Sequence, residues 1–186
     1  MPWESFSKAI AEDNWRQPAV YVRLARGTDT PAIVALSQRV QAGLTASGSR
    51  QRIGPLSPGL VSECVASGAA YVLDDPPQLL GSVFVEPVTA DGLPARNLWG
   101  LGACPDPLVY LHTLMIEPEQ QGHGLGRILL DGVKAAVQVR EPGSVIVLDC
   151  WAGNAKLRSF YTAAGFRLRG IFPEQDYEIA VFTWPS

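Results

Sequence analysis

Apolar positions along this chain fall into alternating runs of period two and period 3.6, and their order outlines a layered domain. Residues 20–24 alternate apolar and polar side chains, as a half-buried strand does. Thr28 or Asp29 can cap a helix with Pro31 in its first turn. That helix carries Ile33, Val34, Leu36, Val40 and Leu44 and ends in a Ser/Gly stretch. Residues 60–67 read as a shorter second helix. Residues 70–73 and 79–88 read as a hairpin around the turn residues Asp74 to Pro77.

Residues 89–107 are rich in Gly, Pro and Ala and lack periodicity; a loop that long inside a compact domain tends to be functional. A strongly apolar strand is expected over 108–116, stopped by Pro118. A glycine-rich turn then leads into a helix with Leu125, Ile128, Leu129, Val133, Ala136 and Val137 on one side. Glu141-Pro142-Gly143 breaks it before a buried strand over 145–150. A helix over 154–164 carries Leu157, Phe160, Tyr161 and Ala164 on one stripe, with Gly165 placed to end it. Strands over 166–172 and 177–184 close the chain.

Strand, two helices, hairpin, strand, helix, strand, helix and two strands predict an α/β (α+β) domain, a mixed sheet with helices on its faces. One domain over 1–186 fits the length, with 1–18 as an N-terminal extension. In that extension Trp3, Phe6 and Ile10 have the spacing of a short amphipathic helix.

Composition narrows the function classes. The net charge of −3 offers no basic surface, so nucleic acid is not expected as a partner. No basic start precedes an apolar run, and no stretch of ~20 apolar residues exists, so neither a signal peptide nor a membrane span is expected, and the cytoplasm is the default compartment. Cys64, Cys104 and Cys150 lie far apart without Cys-x-x-Cys spacing. With His112 and His123 as the two histidines, no metal site is expected.

The informative motif is Gln121-Gly122-His123-Gly124-Leu125-Gly126-Arg127. Glycines at every second position let the backbone curl closely and aim several N–H groups inward, and the helix behind adds unsatisfied N–H groups and a partial positive charge. A pyrophosphate suits such a turn, although a plain tight turn is the alternative reading. The Gly-Lys-Ser/Thr of a P-loop is missing, and the spacing is not that of the dinucleotide fingerprint.

Gln121, Gly124 and Gly126 resemble the coenzyme A loop of the GNAT superfamily of N-acyltransferases. Upstream, Leu114-Met115-Ile116-Glu117-Pro118 is similar to that family's apolar strand end; downstream, Asn154, Tyr161 and Ala164-Gly165-Phe166 are similar to its Asn…Tyr…Gly-Phe helix. The resemblance runs from about residue 20 to 184. It implies a mostly antiparallel sheet of six to seven strands, splayed between the fourth and fifth, and transfer of an acetyl group from acetyl-CoA to an amine through a tetrahedral intermediate. It also implies that the backbone of Leu114, Met115 and Ile116 lines the pantetheine arm, that residues 122–127 (Gly122, His123, Gly124, Leu125, Gly126, Arg127) wrap the pyrophosphate, and that Asn154 hydrogen-bonds the pantetheine region. The expected acceptor is a primary amine of a small molecule. A peptide or protein amine, or a non-catalytic acyl-CoA sensor, are the alternatives, and the chain is expected as a monomer or homodimer.

An alkylamine has a pKa of ~10.4 and must lose a proton before it attacks, so the reaction needs a base, an oxyanion donor and an acid for the departing thiolate. Tyr161 resembles the family tyrosine that protonates the sulfur; as a plain core tyrosine it would also fit the apolar stripe. Two residues compete as base, with His112 preferred. His112 is similar in position to a catalytic histidine of arylalkylamine acetyltransferases, with Tyr110 where those enzymes carry a second histidine. Asp149 stands where ribosomal-protein N-terminal acetyltransferases carry a glutamate. Trp99 and Trp151 are candidate walls of the acceptor pocket and Glu86 a candidate partner for its charge.

Overall fold

The computed structural model describes residues 20–88, 99–102, 104, 107–174 and 176–185. The expected N-terminal extension and amphipathic helix, and most of the loop after Val88, lie outside them. In chain order the elements are β1 (Tyr21–Leu24), α1 (Thr30–Ala46), α2 (Pro58–Ala66), β2 (Ala70–Asp75), β3 (Gln78–Pro87), β4 (Leu108–Ile116), α3 (Leu125–Arg140), β5 (Val145–Trp151), α4 (Ala155–Ala163), β6 (Arg167–Glu174) and β7 (Tyr177–Trp184). The seven strands form one sheet in the order β1-β2-β3-β4-β5-β7-β6, antiparallel throughout except for the parallel pair β4–β5.

Each face of the sheet is covered as the alternation of side chains requires. Tyr71, Leu73, Val83, Val109, Leu111 and Leu148 pack on one side against Leu129, Leu130 and Val133 of α3 and Tyr161 of α4. Val72 and Phe84 turn to the other side, against Ile33, Leu36 and Val40 of α1 and Val61 and Cys64 of α2. A third cluster joins Trp99, Leu101 and Cys104 to Leu108, Val145, Val147 and Val181, so the stretch before β4 contributes core.

Local chemistry sets the ends of the elements. Ser57 caps α2 by accepting the Leu60 N–H at 3.2 Å. Asp29 precedes α1 without capping it, because its carboxylate takes the two terminal guanidinium nitrogens of Arg23 (2.7 and 3.1 Å) and the Arg26 N–H. The hairpin turn is tighter than predicted: β2 runs on through Asp74 to Asp75, because Asp74 accepts hydrogen bonds from Tyr21 and Arg23 of the neighbouring β1.

Two irregularities in β4 shape the centre of the molecule. Ser82 pairs with Met115 but Phe84 pairs with His112, so Thr113 and Leu114 together oppose Val83 in a bulge. Thr113 lies in the left-handed region, with φ of 55°. The added residue switches faces: Val109 and Leu111 point to the α3/α4 side before it, Leu114 and Ile116 do so after it, and Met115 turns to the α1/α2 side. On its other edge β4 pairs with β5 only over Leu108–Val145, Val109–Ile146 and Tyr110–Val147, although β4 continues to Ile116 and β5 to Trp151. The sheet is therefore splayed between its fourth and fifth strands.

Gly81 faces the far end of β4, where an added Cβ would come within 2.8 Å of the Met115 carbonyl oxygen and 2.7 Å of Ile116 Cδ1. The carbonyl belongs to backbone and cannot yield freely. Gly81→Ala is expected to destabilise the fold by about 1–3 kcal/mol, read as a lower urea midpoint at unchanged m-value.

Candidate active site

Two chambers adjoin the splay. One, of about 400 Å³, lies between the glycine turn and α4 and is lined by Ile116, Gln121, Gly122, Gly124, Gly126, Arg127, Asn154, Lys156 and Phe160 among others. The other, of about 340 Å³, is lined by Trp99, Tyr110, His112, Asp149, Trp151, Tyr161, Glu174 and Tyr177, with Arg52. Gln51, Ile53, Leu114 and Leu157 belong to the walls of both, so the chambers meet at the gap between the strands.

In the first chamber the chain presents free donors. The amides of Gly122, His123, Gly124, Leu125 and Gly126 have no acceptor among the described residues; α3 begins its own ladder with Arg127 and Ile128 donating to Gly124. Gly122 and Gly124 have φ of 86° and 81°, a backbone that side chains resist, and a Cβ at either would point into open space. A helix start with this many unpaired amides fits a pyrophosphate, and Lys156 and Arg127 add positive charge to the wall. Arg127 is also engaged by Asp131 at 2.5 Å and by the Ala163 carbonyl at 2.8 Å. Gln121 donates to the Ile116 carbonyl at 3.2 Å, which ties the turn to the strand end. His123 is exposed and donates to the Gln120 carbonyl, Leu125 packs against the core, and the Met115 side chain is fully buried, which leaves their backbones as what they can offer a ligand. Asn154 caps α4, accepting the Leu157 N–H at 2.9 Å; its amide nitrogen remains for the chamber.

The second chamber holds the titratable groups. Tyr110 donates to Asp149 Oδ1 at 2.5 Å, and Oδ2 has no partner among the described residues. Burial raises the Asp149 carboxyl above the ordinary carboxylate value, against the lowering effect of the Tyr110 hydroxyl. Burial, with Asp149 beside it, pushes the Tyr110 phenol up. The His112 ring stacks on that of Tyr110 (5.0 Å between centroids, 13° between planes). A carboxylate can only accept, so His112 Nε2–H donates to Glu86 at 3.1 Å and Nδ1 accepts from the Thr113 hydroxyl at 3.0 Å. Burial holds the His112 pKa below its usual value. Glu86 therefore sits behind His112, outside the chamber wall.

Tyr161 reaches the chamber from α4. Its ring packs against Phe160, Phe166 and Phe182, burial pushes its phenol well up, and its hydroxyl has no partner among the described residues. Trp99 is buried and tilts onto Tyr110, and Trp151 forms part of the wall. Cys150 is wholly buried, its thiol pushed up to about 12 by burial. Among the described residues no cluster could hold a metal ion, and no helix is long and apolar enough to cross a membrane.

Sequence reasoning missed Gln51, Arg52, Ile53, Lys156, Glu174 and Tyr177. Lys156 could have been found, two residues beyond Asn154 in the first turn of α4; the others come from loops and hairpin ends that only the fold brings in.

Residues 63–166 match the family model described as the acetyltransferase (GNAT) family. The chain belongs to that family. It is an acetyltransferase of a coenzyme A-binding fold. A GNAT acetyltransferase from Streptococcus agalactiae superposes with a TM-score of 0.70 at 16% identity, over 88% of this chain and 94% of that one. Another from Listeria monocytogenes gives 0.68 at 22% identity, over 88% and 93%. The ribosomal-protein-alanine N-acetyltransferase of Brucella melitensis gives 0.64 at 16%, over 87% and 97%. No curated protein matches the chain in sequence.

Gly124→Ala puts a side chain at a left-handed φ in the wall of the first chamber. It is expected to weaken coenzyme A binding at least about tenfold, measured by calorimetry, while the far-UV circular dichroism is kept.

Proposed function

We propose that the chain transfers an acetyl group from acetyl-CoA to the α-amine at the start of a peptide or protein, with Asp149 and Tyr161 handling the protons. The observation that carries this is the joined pair of chambers: free amides line one, a carboxylate and an unpartnered phenol line the other, and four residues are common to both walls. A thioester anchored by its pyrophosphate at the glycine turn would present its acyl carbon to the second chamber.

The amine nitrogen attacks the acyl carbon, forming the carbon–nitrogen bond and a tetrahedral oxyanion, whose collapse breaks the carbon–sulfur bond. Asp149 Oδ2 takes the proton from the amine, and the Tyr161 hydroxyl gives its proton to the departing sulfur. Burial keeps Tyr161 protonated and makes Asp149 a stronger base than an exposed carboxylate. Both ring nitrogens of His112 are committed to Glu86 and Thr113, so Asp149 takes precedence over His112 as base. His112 is left to hold Tyr110, and through it Asp149, by stacking.

The peptide reading takes precedence over a small amine for three reasons. The mouth mixes Arg52, Gln51, Glu174 and Tyr177, donors and acceptors that suit a peptide backbone. An α-amine has a pKa near ~8 against ~10.4 for an alkylamine, so far more of it is free at neutral pH for a carboxylate base. Among the fold's neighbours is the Brucella enzyme, which is named for acetylating a ribosomal-protein alanine. The aromatic wall of Trp99, Tyr110, Trp151 and Tyr177 favours a second reading, a small arylalkylamine.

Chromatographic release of coenzyme A over a panel of short peptides, the same peptides with blocked N-termini, and arylalkylamines separates these. Turnover of free but not blocked peptides is expected. Turnover of arylalkylamines alone would overturn the peptide reading, and tight acetyl-CoA binding with no turnover would favour a sensor. The active form of Asp149 is ionised, so kcat should rise with pH through its elevated pKa. Asp149→Asn should remove that limb and lower kcat by ~10²–10⁴, whereas His112→Gln should keep it. Tyr161→Phe should lower kcat by ~10² or more with acetyl-CoA affinity within about twofold.

A further inference from the structure

The gap between β4 and β5 is bridged at one point by a side chain from elsewhere. Tyr110 faces Val147, so at the same offset Leu114 would face Trp151. In its place Gln51, from the connection between α1 and α2, accepts the Trp151 N–H on Oε1 at 2.8 Å. That N–H points into the gap, because the next amide, Ala152, donates the other way to Glu178 and strand amides alternate. Trp151 is the donor, so the oxygen end of the carboxamide is fixed on β5. The amide is planar, so Nε2 is held beside the strand edge, and it has no acceptor among the described residues.

Gln51 is not needed to hold its own segment. Gln41 Oε1 takes the N–H groups of Ile53 and Gly54 at 2.9 and 3.1 Å, the Ser37 hydroxyl takes that of Leu56 at 3.0 Å, and Arg50 donates to the Asp176 carbonyl at 2.8 Å. On the facing strand Glu117 donates to Leu80 of β3, so alternation turns the amides of Ile116 and Leu114 to the gap. Gln51 and Leu114 both stand where the chambers meet. Two donors thus border the passage where the chambers meet.

We propose that Gln51 is a catalytic residue, its Nε2–H donating to the acyl carbonyl oxygen opposite the Leu114 amide. The proposal rests on the acyl-transfer reading. Negative charge grows on that oxygen as the amine attacks, and a donor fixed there in advance stabilises the transition state more than the bound thioester. Coenzyme A without the acyl group offers no such oxygen, which gives a test independent of turnover.

Gln51→Met keeps the size and neutrality and removes the donor; Gln51→Glu keeps an acceptor for Trp151 and also removes the donor. By calorimetry, both should weaken acetyl-CoA about fivefold, the worth of one ordinary hydrogen bond, with Gln51→Met leaving coenzyme A affinity unchanged. Where a peptide turns over, kcat should fall by ~10²–10³ with the peptide KM within about threefold. Equal losses for acetyl-CoA and coenzyme A, or unchanged kcat in both variants, would overturn the proposal. If wild type acetylates no amine, the acyl-transfer reading fails by itself, while a selective loss of acetyl-CoA binding in Gln51→Met would still support the Gln51 contact.

Discussion

Everything at the centre of this molecule follows from β4 and β5 ceasing to pair after Tyr110 and Val147. Two parallel strands that separate leave their inner amides and carbonyls without partners, and unpaired backbone inside a protein costs free energy unless something else satisfies it. Here the gap is flanked by donors that the chain leaves available and by a glutamine that satisfies one of them. The two chambers share Gln51, Ile53, Leu114 and Leu157, so they meet at this parting.

The elements around the gap are held firmly so that the gap can stay open. Lys134 of α3 is buried, donates to the Ala164 carbonyl at 2.9 Å, pairs with Asp131 at 2.6 Å and lies over the Trp184 ring. With Arg127 on Ala163, this places two cations at the C-terminal end of α4, where unsatisfied carbonyls and the helix dipole attract them. Asn154 holds the other end of α4, which fixes Tyr161 above the gap. The bulge at Thr113 does the corresponding work in β4: it turns Leu114 toward the passage while His112 stays with Tyr110 and Glu86 on the opposite face.

Burial then sets the chemistry. One desolvated environment raises the Asp149 carboxyl above the ordinary carboxylate value and pushes the Tyr161 phenol up, which is what the proposed base and acid require. The same burial lowers His112, whose neutral ring is absorbed by Thr113 and Glu86. Charge near the mouth is mixed, and recognition there falls to hydrogen bonding and aromatic contact.

What depends on neighbours along the chain was legible in the order of residues. Hydrophobic period placed the strands and helices to within a few residues, because each element must bury one face. The glycines marked the turn, where Gly122 and Gly124 take left-handed backbone, and Tyr161 and Asn154 could be placed on one helix by their spacing. Tertiary structure decided what depends on distant segments meeting. The length of β2 was set by Arg23 and Tyr21 gripping Asp74 from another strand. The hydrogen bonds of His112 to Glu86 and of Asp149 to Tyr110, on which the proposed rank of the two rests, join residues of different strands. Gln51, Arg52, Glu174 and Tyr177 carry no local signal, since a polar residue in a loop reads as solvated until folding brings it to a gap between two strands.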